Sequence, residues 1–121
     1  MAAPNLVNVA TITAKSVQAT LDTTLTTEIL ANASSSGKVF KINTIIVANI
    51  DGSSAADASV AITKSGGSPI MIASTISVPA DSTLVVVDKN TSLYLEEGDN
   101  IEAGASANSD LTITISYEEL S

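Results

Sequence analysis

The sequence contains no cysteine, histidine, arginine or tryptophan, and each absence excludes a class of site. Without cysteine there is no disulfide framework and no thiolate metal site. Without histidine the usual base of a hydrolytic triad is missing, so we predict that the chain is not an enzyme, has no catalytic residues and needs no cofactor. Without arginine, and with five scattered lysines in a net charge of -8, it lacks the basic surface that nucleic-acid binding requires.

Aromatic residues and long apolar runs are scarce as well. Phe40, Tyr94 and Tyr117 are the only aromatics, so the core must be aliphatic, which suits sheets packed face to face. No apolar run approaches the roughly 18 residues of a membrane span, and the first residues lack the basic and apolar regions of a signal peptide. We therefore expect no membrane partner and a chain that stays in the cytoplasm of the producing cell.

What the sequence does contain is a series of short β-branched runs separated by turn residues. The clearest breaks are Asp51-Gly52-Ser53-Ser54, Ser65-Gly66-Gly67-Ser68-Pro69 and Pro79-Ala80-Asp81-Ser82. The predicted strands are 6–21, 24–30, 38–50, 59–64, 70–78, 83–88, 92–95, 101–105 and 111–118. Only 16–30 and 55–58 leave room for a helical turn, and we assign 55–58 to a loop.

The last predicted strand shows the alternation most clearly. Leu111, Ile113, Ile115 and Tyr117 share one face, and the residues between them are Thr, Thr and Ser. This period of two predicts one buried and one solvated face. Strands of this kind at intervals of about eight to twelve residues predict an all-β, antiparallel β-sandwich of jelly-roll-like type. We expect a single domain over 1–121, with 1–8 as an extended N-terminal arm.

The acidic residues in the loops are the best candidates for a metal site. Asp51, Asp57 and the run Glu96-Glu97-Gly98-Asp99 offer the carboxylates that calcium prefers. Their spacing matches no calcium loop, and loops of an acidic protein contain acids in any case. We therefore assign no metal ligands and interpret 96–99 as a solvated turn.

Two glycosylation sequons occur, Asn32-Ala33-Ser34 and Asn90-Thr91-Ser92. Such triplets are common by chance in chains rich in serine and threonine, and their use requires export. We expect neither to carry a glycan.

Four segments, read in order, resemble a group of small virion structural proteins of tailed bacteriophages, especially marine and cyanobacterial ones. They are Ser-Gly-Lys-Val-Phe-Lys-Ile at 36–42 with Ile-Val-Ala-Asn at 46–49, Val-Pro-Ala-Asp-Ser-Thr-Leu-Val-Val at 78–86, Leu-Glu-Glu-Gly-Asp at 95–99 and Ser-Tyr-Glu-Glu at 116–119. The opening Ala-Pro-Asn-Leu-Val-Asn-Val at 3–9 is similar in a less specific way. Each piece alone is a generic strand-turn-strand, and their order carries the resemblance.

The resemblance implies a β-sandwich built into the phage particle and supplies no catalytic residues. The leading hypothesis is a capsid decoration or cement protein that binds the major capsid protein and stabilises the shell, with the N-terminal segment as a clamp. A neck, collar, tail or fibre component is the structural alternative. The partners would then be virion proteins and further copies of this chain, with assembly in the host cytoplasm.

A glycan- or receptor-binding module is the alternative from another class, because jelly rolls commonly bind sugars. The sequence argues against it, since sugar sites usually present exposed Trp or Tyr. Tyr94 and Tyr117 are the only phenols, and the strand pattern predicts that Tyr117 points inward.

Overall fold

The computed structural model describes residues 5–25 and 27–121. The described elements are nine strands and two short 3-10 turns, Leu6–Asn8 and Lys89–Thr91. The strands are β1 (Ile12–Thr20), β2 (Thr27–Ala31), β3 (Val39–Asn49), β4 (Ala56–Thr63), β5 (Ile70–Val78), β6 (Thr83–Val87), β7 (Leu93–Leu95), β8 (Asn100–Ala105) and β9 (Leu111–Leu120). No helical segment in this part of the chain is long and apolar enough to cross a membrane.

The strands form two antiparallel sheets that pack against each other. Sheet I has the order β1-β9-β3-β6, with β7 pairing the same edge of β3 as β6, and sheet II has the order β2-β8-β4-β5. The pairings are nested along the chain: β1 with β9, β2 with β8, β3 with β6 and β7, and β4 with β5. The β9–β3 and β8–β4 pairings then close this long folded hairpin into a roll. The all-β sandwich is confirmed, and its pairing is that of a jelly roll.

The core lies between the two sheets and is aliphatic, as composition predicts. On β9, Leu111, Ile113 and Ile115 are fully buried and Tyr117 nearly so, which confirms the predicted face. The ring of Tyr117 contacts Phe40, with ring centroids 5.2 Å apart. This aromatic pair therefore lies at the end of the core where β3 begins, while branched aliphatic side chains fill the rest.

The N-terminal strand begins later than the alternation of 6–21 predicts. Asn5 caps a 3-10 turn, because its side chain accepts a hydrogen bond from the Val7 amide and its carbonyl one from the Asn8 amide. This local bonding competes with extended structure. Residues 6–8 are thus a turn rather than an extended arm, and residues 1–4 of the predicted arm lie outside the described part of the chain.

The sequence left room for a helical turn at 16–30 and at 55–58, and neither segment is helical where it is described. Residues 16–20 belong to β1, in line with the predicted strand, because β9 supplies their hydrogen-bonding partners. Ala56 and Ala58, assigned to a loop, belong to β4 and are buried. Alanine has low intrinsic strand propensity, and here contact with β8 and β5 overrides it.

Candidate interaction surfaces

Two buried asparagines connect the sheets at opposite ends of β3. Asn32 follows β2 of sheet II, and its Nδ2 donates to the carbonyls of Lys38 and Leu95 at 2.8 and 3.1 Å. Lys38 directly precedes β3 and Leu95 ends β7, both in sheet I. Its Oδ1 accepts from the Ser36 hydroxyl. The side chain is 1% exposed, so the sequon at Asn32 is inaccessible in the folded chain, whereas Asn90 lies exposed in the second 3-10 turn.

Asn49 makes the corresponding connection where β3 ends. Its Nδ2 donates to the carbonyls of Ser54 and Val78, both at 2.9 Å, and its Oδ1 accepts from the Asp51 amide. Val78 is the last residue of β5 in sheet II, so this side chain also spans the two sheets. Each asparagine therefore satisfies two backbone carbonyls at one end of the sandwich.

The acidic turn at 96–99 is not simply solvated, which corrects the sequence interpretation for one of its residues. Asp99 is 2% exposed and accepts hydrogen bonds from the Glu96 and Ser65 amides and from Lys64. Glu96 is exposed and also pairs with Lys64. The turn is therefore fixed to the β4–β5 turn by a lysine that neutralises part of its charge.

Burial alone would raise the pKa of Asp99, but the hydrogen bond from Lys64 and those from the Glu96 and Ser65 amides outweigh it. Its pKa therefore lies below the ordinary value. The same contacts, Asp99 first and Glu96 second, raise the pKa of Lys64. The pair stays ionised over the whole neutral range, and it stabilises the folded state only while Asp99 is charged.

The calcium candidates are not brought together. Asp51 bonds the Ser53 amide and hydroxyl within its own turn, Asp57 lies on β4, and Asp99 is paired with Lys64. Among the described residues no three acidic side chains form a group that could hold a metal ion. The carboxylates of Asp51, Glu97 and Asp99 bind protein groups instead: the Ser53 amide, the Gly37 amide and Lys64.

We expect the Asp99→Asn variant to lose about 1.5–3 kcal/mol of unfolding free energy at neutral pH, because an amide cannot accept from both backbone N–H groups and Lys64 together. The pKa of Asp99 in the folded state is lowered from 3.8, so the wild-type advantage is complete well above that unfolded value. It shrinks as pH falls below 3.8 and is lost as pH falls through the lower folded-state pKa. Urea unfolding of both proteins between pH 7 and pH 3 measures this convergence.

Asp57→Asn, at a half-buried position on β4, is the matched control and should behave like the wild type throughout. A constant difference between Asp99→Asn and the wild type down to pH 3 would show that Asp99 is not the group that titrates.

A shallow groove runs across the outer face of sheet I near the start of β3. It has a volume of about 240 Å³, and we define this outer groove by Leu6, Val9, Ile12, Lys41, Tyr94, Glu118 and Leu120. A neighbouring depression of about 360 Å³ shares Lys41 and Glu118 with it. The two form one broad concave face rather than a deep pocket.

Strand register determines which side chains meet in the outer groove. Tyr94, Lys41 and Glu118 lie directly opposite one another across β7, β3 and β9. Glu118 also accepts a hydrogen bond from the Asn43 amide group at 3.2 Å. A half-exposed phenol thus stands beside one positive and one negative side chain, next to the apolar residues of the N-terminal turn.

The N-terminal segment forms the apolar wall of the outer groove. The Ala10 and Thr11 amides both donate to the Ser121 carbonyl, which fixes the segment to the end of β9. Leu120 points to the outer face yet is only 7% exposed, whereas Leu6 and Val7 are 52% and 88% exposed. The apolar surface therefore continues outward from the groove onto the turn.

The second exposed apolar surface lies on β5, the edge strand of sheet II. Its members, which we call the β5 strip, are Ile70, Met71, Ile72 and Ile76. Among the described strands, β5 pairs only with β4. Thr75 has φ 47°, and its amide donates to the side-chain hydroxyl of Ser59 on β4 instead of to a backbone carbonyl of that strand. The register of the β4–β5 pairing shifts there. Sequence reasoning recognised this strand but gave no sign of its exposure.

Neither the search of protein-family models nor the search of curated proteins found a match to the chain.

Proposed function

We propose that this protein is a structural component of a tailed-phage particle, a capsid decoration or cement protein that binds the major capsid protein. The observation that carries the proposal is the outer groove, which is broad and shallow and continues onto the exposed Leu6 and Val7. Surfaces of this shape bind by area, through an apolar centre and a polar rim, as assembly contacts do. The resemblance of 36–49, 78–86, 95–99 and 116–119 to virion proteins supports the same reading.

In this proposal the N-terminal segment clamps the shell. The Ser121 carbonyl holds Ala10 and Thr11, just after the turn, at the end of β9, so exposed Leu6 and Val7 are presented next to a fixed support. A pre-positioned apolar contact loses little conformational entropy on binding. The net charge of -8 favours a partner surface that is neutral or basic where it meets this face.

We expect quantitative mass spectrometry of purified particles to find hundreds of copies of this chain, in a fixed ratio to the major capsid protein. A decoration protein repeats with the symmetry of the shell, so its copy number follows that lattice. A handful to a few dozen copies would instead indicate the neck, collar, tail or fibre. Absence from washed particles would contradict a virion role of any kind.

One observation favours a second function, the glycan- or receptor-binding module. Tyr94 is 44% exposed and lines the outer groove beside Lys41 and Glu118. Sugar-binding sites combine an aromatic face with polar side chains in this way. Tyr117 is buried as predicted and offers no second platform. Micromolar or tighter binding on a glycan array would favour this function over a purely structural one.

A further inference from the structure

We infer that the β5 strip is the surface through which two copies of this chain associate about a two-fold axis. Ile70 is 65% exposed, and Met71, Ile72 and Ile76 are each more than one-third exposed. An apolar strip of this kind, on the order of 300 Å², has the size of the largest apolar patch on a typical monomer, and such patches are often functional. The inference concerns the isolated chain and does not depend on what the outer groove binds.

Charge points to a second copy as the occupant of the strip. Residues 65–80 contain no charged side chain, although the chain as a whole has thirteen acids and five lysines. The edge strands on the other side of the sandwich carry Lys15 on β1 and Glu28 on β2. Two copies of an acidic protein repel each other least where both are neutral, whereas a basic partner would gain nothing from this surface.

The contact area is also suited to a two-fold pair. Each partner in an ordinary stable interface contributes about 800 Å², of which somewhat more than half is apolar. The strip supplies a large part of the apolar share. The hydroxyl side chains of Ser74, Thr75 and Ser77 lie on the same strand and can supply polar contacts.

The backbone at Thr75 limits how the copies meet. Natural proteins protect free strand edges with charges, proline or bulges, and β5 has only the bulge. The positive φ of Thr75 and the register shifts beside it interrupt a regular edge. We therefore assign the contact to packing of apolar side chains in a closed pair and not to a continuous sheet that could extend into fibres.

Sedimentation velocity of the full chain, from low micromolar to millimolar concentration, tests the inference. The wild type should change from monomer to dimer as concentration rises, and the dimer should tighten with added salt because salt screens the repulsion between acidic copies. Ile70→Lys should weaken the dimer at least tenfold, since it places two cations at a neutral contact. Ile50→Lys is the matched control at 60% exposure outside the strip and should leave the dimer intact.

Met71→Lys provides a second variant in case Ile70→Lys perturbs folding, which a thermal melt of each protein would reveal. A wild type that stays monomeric at every concentration, or a dimer that survives both substitutions, would overturn the inference. Weakening of the dimer by Ile50→Lys to the same extent would overturn it as well. Absence of the wild-type chain from washed particles, with the dimer intact in solution, would instead count against the proposed virion role alone.

Discussion

The Asn32→Ala variant is expected to lose about 3–4 kcal/mol of unfolding free energy, with a melting temperature roughly 15 °C below that of the wild type. The substitution removes three side-chain hydrogen bonds and leaves the Lys38 and Leu95 carbonyls without the donor that bridges them. A buried acceptor without its donor costs more than the hydrogen bond itself contributes, because water cannot replace the donor. Thermal and urea unfolding, followed by circular dichroism, measure the change.

Asn90→Ala is the matched control for Asn32, because it removes the same group from an exposed position and should change stability by less than about 0.5 kcal/mol. Asn32→Asp keeps the shape but replaces two donors with acceptors that face carbonyls, so it should be at least as harmful as alanine. A loss below about 1 kcal/mol in Asn32→Ala would refute the connecting role of this side chain.

The Ile115→Ala variant is expected to lose about 3–4 kcal/mol, the ordinary cost of a cavity in a closely packed core. Ile115 is fully buried at the centre of sheet I, where β9 places it opposite Val17 of β1 and Ile45 of β3. The residues around it are held in two sheets, so they can relax only partly into the space. Equilibrium urea unfolding gives the loss directly.

Two companions calibrate the result for Ile115. Ile115→Val removes one methylene and should cost about 0.5–1.5 kcal/mol. Thr114→Ala, one residue away on the outer face of the same strand, should cost about 1 kcal/mol or less, since it changes strand propensity without opening the core. Equal losses for Thr114→Ala and Ile115→Ala would be incompatible with the register of β9.

Two ion pairs lie on the surface at the end of the sandwich where β3 begins. Glu119 pairs with Lys15 of β1 at 3.2 Å and with Lys38 at 2.9 Å. Burial would raise the pKa of Glu119, but these two lysines outweigh it and hold the pKa below its ordinary value. With Lys64 at Asp99, three of the five lysines neutralise acids, so the net charge of -8 is borne mainly by the other acidic residues.

The fold class and most of the strands could be predicted from the sequence alone. The alternation of Leu111 to Tyr117 predicted the buried face of β9, because a period of two leaves one side of a strand for the core. The turn signals at 51–54, 65–69 and 79–82 likewise separated β3, β4, β5 and β6. These predictions depend on local backbone chemistry and on the spacing of apolar residues, both of which a single chain displays.

The roles of the buried polar residues depend instead on how the strands pack in three dimensions. The sequence suggests that Asn32 is part of a sequon in a turn and that Asp99 is an acid in a solvated loop. Both are buried, and each binds a residue distant along the chain: Asn32 the Leu95 carbonyl, and Asp99 the Lys64 ammonium group. Burial of a polar group is tolerated where its hydrogen bonds are satisfied, and those partners are set by the closure of the roll. The same closure places β5 at the edge of its sheet and leaves Ile70 exposed. The sequence could not predict this exposure, because nothing in an apolar strand indicates on which side it will lack a neighbouring strand.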